Sequence, residues 1–122
     1  MEAREATIYI LELEGGKYYV GKTKKEVPFD RILEHFEGEG SARTHRYPPK
    51  RVVEVRANCS DFDEDKFTKE YMNAHGIDNV RGGTYCRIDL SGEELRVLTR
   101  EIRGAKDRCL RCGRESHFAS DC

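Results

Sequence analysis

The stretch Thr7 to Gly21, TIYILELEGGKYYVG, constrains the fold more than any other part of the chain. Two runs rich in β-branched and aromatic residues flank Gly15-Gly16. Glycine reaches positive φ without strain, so the pair predicts a tight hairpin turn. In the first run Ile8, Ile10 and Leu11 alternate with Tyr9, Glu12 and Glu14, with one slip at Leu11. Counting outward from the turn, Tyr9 and Tyr19 fall at similar distances on the two strands. Two phenols are therefore expected side by side at one edge of the domain.

Downstream, Lys22 to Val27 reads as a polar connector and Pro28 opens a helix, where its missing N–H costs little. Phe29, Ile32, Leu33 and Phe36 form its expected buried stripe. Arg31 and His35 are four residues apart and share one face. Residues 38–49 read as a loop, and Val52 to Val55 as an apolar strand. A second helix is expected over 64–75, with Phe67, Tyr71 and Met72 or Ala74 inward and Glu70 beside that stripe. Tyr85 to Leu90 reads as a short strand. Ser91 and Glu94 form a capping box for a last helix that buries Leu95, Leu98 and Ile102 and ends at Gly104.

A net charge of −1 on 122 residues gives no general attraction for nucleic acid. The distribution does: Arg43, Arg46, Lys50, Arg51 and Arg56 face only Glu54 in their segment, and Arg103, Lys106, Arg108, Arg111 and Arg114 crowd the tail. No run resembles a transmembrane span or a signal peptide, which excludes a membrane partner at this level. Five cysteines, an odd number, argue against a disulfide framework and for a reducing compartment, cytoplasm or nucleus. Cys59 and Cys86 read as buried or strand residues.

The remaining three cysteines belong to Cys109-x2-Cys112-x4-His117-x4-Cys122. Three thiolates and an imidazole at this spacing can close a tetrahedron around Zn2+. So short a segment buries no core, and metal would supply its folding free energy. The pattern matches the CCHC zinc knuckle in every ligand, with Gly113 as that family prefers. Leu110 and Ser116 depart from its usual aromatic and glycine.

Thr7-Ile8-Tyr9, Tyr19-Val20-Gly21 and Arg31-x3-His35 together resemble the GIY-YIG nuclease superfamily over residues 7 to 90, with Thr7 standing where glycine is usual. Gly40 to Pro49 resembles its structure-specific branch. The resemblance implies an α+β fold, a small antiparallel sheet flanked by helices, over residues 1–104, with the knuckle at 105–122. It implies a metal-dependent endonuclease that hydrolyses phosphodiester bonds in nucleic acid, chiefly DNA. Tyr9, Tyr19, Arg31, His35 and Glu70 would be its catalytic residues, with Lys22 and Asn79 assisting and Glu70 holding Mg2+ or Mn2+. Glu64 is the competitor for that metal role. Ser41, Arg43, Thr44, Arg46 and Arg81, and in the knuckle Arg111, Arg114 and Phe118, would contact nucleic acid, with Zn2+ held by Cys109, Cys112, His117 and Cys122. The alternative is a non-catalytic nucleic-acid-binding or protein-interaction module on the same scaffold. A protein partner or larger complex would set specificity.

Overall fold

The two apolar-aromatic runs pair as the hairpin requires. β1 (Ala6–Leu13) and β2 (Lys17–Thr23) lie antiparallel, with Tyr9 opposite Gly21 and Leu11 opposite Tyr19. Gly15 and Gly16 both take positive φ at the turn, +77° and +72°. The computed structural model describes residues 5–87 and 89–105. These form two compact units, one ending at residue 88 and the other starting at Asp89.

In the first unit β1 is flanked on its other side by β3 (Pro49–Cys59), also antiparallel. A fourth strand, β4 (Val80–Gly82), joins β2 in parallel, giving the order β3-β1-β2-β4. The α+β class thus holds, but the sheet is mixed rather than the expected antiparallel one. The reason is connectivity: the helix α3 (Asp63–His75) carries the chain back across the sheet, so β4 enters in the direction of β2. The strand expected at Tyr85 to Leu90 is not formed among the described residues there. Tyr85 only closes a bridge back to Gly82.

One face of the sheet carries Tyr9, Leu11, Leu13 and Tyr19, which cluster with Ile32 and are covered in part by Tyr47 and Val52. Each such aliphatic side chain contributes roughly 1.5–3 kcal/mol on full burial. The opposite face carries Ile8, Ile10 and Val20, all fully buried. α3 packs there against β2 and β4, burying Phe67, Thr68 and Met72. Gly82 permits that close approach: a Cβ on it would lie 2.4 Å from the Val20 carbonyl oxygen and 2.8 Å from Thr68 Oγ1.

Helix α1 (Pro28–Phe36) begins at the expected proline, but its buried residues are Ile32 and His35. Phe29, Leu33 and Phe36, expected in the buried stripe with Ile32, are 58%, 52% and 42% exposed. The helix is turned so that a polar side faces the tyrosines. The expected loop over 38–49 holds a short helix, α2 (Ala42–Arg46), capped by the Ser41 hydroxyl. The second unit contains α4 (Gly92–Ala105), opened by the predicted capping box: Glu94 N–H donates to Ser41's counterpart Ser91 Oγ, and Ser91 N–H donates to Glu94 Oε1. Leu98 and Ile102, one turn apart, are its buried residues. Among the described residues no helix is long and apolar enough to cross a membrane.

Candidate active site

The hairpin register sets Tyr9 and Tyr19 with ring centroids 6.3 Å apart. Both are buried. Tyr9 lies against the bare Cα of Gly21, where an added Cβ would sit 2.3 Å from the ring. This explains the glycine that ends the second motif: its cross-strand partner is the phenol itself. From α1, His35 reaches into the space between the two rings, 5.5 Å from Tyr9 and 5.0 Å from Tyr19 by centroid. Gly40 closes over the imidazole, and a Cβ there would fall 2.0 Å from Nδ1.

A chain of polar groups runs through this core. Tyr9 Oη and His35 Nε2 are 2.7 Å apart, and His35 Nδ1 lies 2.8 Å from Thr44 Oγ1. The Thr44 hydroxyl donates to the Ser41 carbonyl, so its oxygen accepts from Nδ1–H. That tautomer leaves the Nε2 lone pair to accept the Tyr9 hydroxyl proton. Ser41 Oγ receives the Thr44 N–H as the cap of α2 and lies 3.3 Å from Thr44 Oγ1. Burial pushes the Tyr9 and Tyr19 phenols up, and it holds His35 down at about 4, with Arg31 adding to the depression. The resting site is therefore neutral at both phenols and the imidazole.

Charge enters from the rim. Arg31 is half-buried and interacts with Tyr9, partly offsetting the cost of a phenolate there. Glu34 holds it, accepting from Arg31 Nη1 at 2.6 Å and from Lys25 Nζ at 2.5 Å. The carboxylate at the site is Glu64, on the first turn of α3. Its negative charge acts on both Tyr9 and Tyr19, burial raises its pKa, and Lys22 lowers it. The absent Cβ of Gly83 makes room for Glu64 Cγ and for Asp65. Asp65 itself is occupied by Thr84, from N–H and Oγ1, both at 2.8 Å.

Glu70, the expected metal carboxylate, is elsewhere. It lines a groove of about 290 Å³ with Tyr18, Arg51, Tyr71 and His75. Tyr18 and Tyr19 are consecutive on β2 and point to opposite faces. Glu70 also lies six residues past Glu64, about 9 Å along the helix and some 120° around it. Of these two carboxylates on α3, Glu64 and not Glu70 is the one whose charge reaches the tyrosines.

Lys22 is beside Glu64 as an assisting residue should be, and also pairs with Asp61 at 3.6 Å. Asn79 is not at the tyrosines: it accepts from Lys17 Nζ at 2.9 Å and donates to the His75 carbonyl. Of the expected nucleic-acid contacts, Arg46 is exposed and Ser41 half-buried, whereas Arg43, Thr44 and Arg81 are 1%, 2% and 3% exposed. Depth removes those three from a surface that a duplex backbone can touch. The two glycines after Arg81 admit α3 rather than a ligand. The basic segment 43–56 is also partly neutralised, since Arg51 pairs with Glu12 and Arg56 with Glu54. Arg111, Arg114, Phe118 and the zinc ligands Cys109, Cys112, His117 and Cys122 lie outside the described residues.

Thr44 as the partner of His35, Glu34 as the holder of Arg31, and Gly40 are additions of the structure. The Ser41-x-x-Thr44 spacing was a legible capping signal, but nothing in the sequence joined it to a histidine nine residues earlier. Comparison of the chain with protein-family models, with curated proteins and with solved structures returns no match.

Proposed function

We propose that the chain is a metal-dependent endonuclease that hydrolyses phosphodiester bonds in nucleic acid, with DNA as its first substrate to test. The observation that carries the reading is the buried Tyr9–His35 hydrogen bond with Arg31 and Glu64 acting on the same phenol. Hydrolysis needs a proton taken from water, charge neutralised on the phosphoryl oxygens, and a leaving oxygen stabilised. Tyr9 Oη accepts the proton of the attacking water as its own passes to His35 Nε2. Thr44 keeps the imidazole in the tautomer that can receive it. Arg31 donates to a non-bridging oxygen from the position Glu34 gives it. Tyr19 packs against the imidazole, with ring centroids 5.0 Å apart, and shields it.

A divalent cation suits Glu64, whose desolvated carboxyl would be relieved by one. Glu64 would hold Mg2+ or Mn2+, which would supply Lewis-acid charge to the phosphoryl group. With one carboxylate as its protein ligand, tight metal binding without substrate is not expected. In residues 105–122 the proposal is a structural Zn2+ on Cys109, Cys112, His117 and Cys122, with the knuckle adding nucleic-acid affinity.

The near-complete burial of Tyr9 and His35 favours a second reading, a binding module that cuts nothing. Plasmid cleavage in Mg2+ or Mn2+ by the parent, Glu64→Gln and Glu70→Gln separates the two. Cutting lost in Glu64→Gln and kept in Glu70→Gln supports the nuclease. No cutting by the parent on nicked, flapped, hairpin or duplex DNA, alongside retained binding, leaves the module.

A further inference from the structure

Three rings gather on the sheet face opposite Tyr9 and Tyr19, and the proposed reaction uses none of them. Tyr18 and His75 stack with centroids 4.2 Å apart and an interplanar angle of 23°. Tyr71 stands 5.7 Å from His75 and 6.0 Å from Tyr18 by centroid. Aromatic clusters of this kind ordinarily fill cores. This one lines the open groove of about 290 Å³ that Arg51 and Glu70 also line. His75 is exposed and both tyrosines are half-buried, so the rings meet solvent.

The rings are fixed from outside the groove. Tyr71 Oη donates to Glu54 Oε2 at 2.6 Å, and Arg56 pairs with Glu54. Lys17, next to Tyr18, donates to Asn79 Oδ1 at 2.9 Å, and Asn79 Nδ2 donates to the His75 carbonyl at 2.8 Å. That clamp ties the start of β2 to the end of α3 and sets the Tyr18–His75 stack before any ligand arrives. Arg51 meets Glu12 through Nε and Nη2, which leaves Nη1 for a phosphate. Glu70 is exposed and enters no hydrogen bond or ion pair among the described residues. A preformed aromatic platform with an uncommitted carboxylate and a guanidinium at its rim complements a flat heterocycle with donors on one edge and a phosphate attached.

We propose that this groove holds one unpaired guanine of a nucleic-acid strand, stacked on the exposed ring of His75 and donating N1–H and N2–H to the two oxygens of Glu70. Guanine alone carries two adjacent donors on its pairing edge. Adenine and cytosine offer one donor beside a lone pair that a carboxylate repels, and thymine offers one donor between two carbonyls. In a duplex that edge is already engaged, so the occupant is a single-stranded or extruded base. The site lies on the other face of the sheet from the Tyr9–His35 pair and serves recognition, not chemistry. It rests on the proposed function only in taking nucleic acid as the partner, and does not require that the chain cut it.

The test measures binding of single-stranded oligonucleotides to the full chain carrying Glu64→Gln, without Mg2+, so that cutting plays no part. The strands are oligothymidines that differ at one central position, which is guanine, adenine or abasic. The guanine strand should bind about 10-fold tighter than the abasic one. It should also bind about 5-fold or more tighter than the adenine strand. Its addition should move the His75 ring resonances upfield. Adding His75→Ala should erase the gap between guanine and abasic strands. Adding Glu70→Ala instead should keep the gap between adenine and abasic strands and abolish the preference for guanine. Both residues are exposed, so neither change threatens the fold. Equal binding of the three strands, or a guanine preference that survives Glu70→Ala, overturns the proposal and leaves nucleic acid as the partner. Binding of no strand at all overturns the partner and this site together. Guanine-dependent binding by a parent that never cuts upholds the site and sides with the binding module.

Discussion

In the proposed reaction Tyr9 takes the water proton, and its environment dictates an unusual pH behaviour. Burial raises the phenol above its ordinary range, and His35 is already neutral throughout the neutral range. The relay needs Tyr9 protonated and His35 neutral, a state already full across this range, so cleavage should be flat with pH from neutral into the alkaline range and show no histidine limb between about pH 5 and 8. A pH–rate profile with an inflection near 6.5 that disappears in His35→Gln would contradict the assignment. Tyr9→Phe keeps the ring but removes the hydroxyl, leaving the Nε2 lone pair of His35 unmet. It should lower the rate by about 10²-fold or more and cost about 1–3 kcal/mol of stability. Much of this residue-level pattern was legible. Tyr9, Tyr19, Arg31 and His35 do converge, because the hairpin register and the four-residue helical spacing are local rules. Arg43, Thr44 and Arg81 were misread as surface contacts. Their polarity argued for solvent, and only the tertiary fold shows that they are enclosed.

At the scale of elements, three glycines, Gly40, Gly82 and Gly83, hold the helices where the site needs them. Gly40, after α1, leaves the His35 ring no clearance for a side chain. Gly40→Ala should displace the imidazole from Tyr9 and lower activity by about 10-fold or more, although residue 40 carries no reacting group. Nuclear magnetic resonance of the His35 ring, compared between parent and variant, checks this directly; an unmoved ring would refute the cause. α3 shows why helix content was easier to read than helix orientation. Its span was expected at 64–75 and is Asp63–His75, but the choice between Glu64 and Glu70 depends on which face meets β2. That face is set by Gly82 and Gly83, which lie twelve or more residues beyond either carboxylate. The exposed Phe29, Leu33 and Phe36 teach the same lesson for α1: hydrophobic spacing named a stripe, and the polar stripe with Ile32 took the interior.

The whole folded unit carries the cost of keeping His35 neutral, and its acid stability should report that. The unfolded imidazole titrates near 6.5 and the folded one at about 4. Between those values the unfolded state binds the extra proton, so stability falls as pH falls through that window. His35 is 1% exposed, and the loss is on the order of 3 kcal/mol by pH 4. Other groups act in the same range. Glu64, raised by burial, holds its proton longer in the folded state and opposes the loss, while Glu34, Glu54 and Asp61, lowered by cationic or hydroxyl partners, add to it. The difference between parent and His35→Gln isolates the imidazole, because the other groups cancel. Chemical denaturation of both across pH 4 to 7 should show the parent converging on the variant as the medium acidifies, with the gap largest above pH 6.5. Two parallel curves would mean that the imidazole titrates alike in the folded and unfolded chain, and that the fold does not hold the ring neutral as the acceptor of the Tyr9 proton.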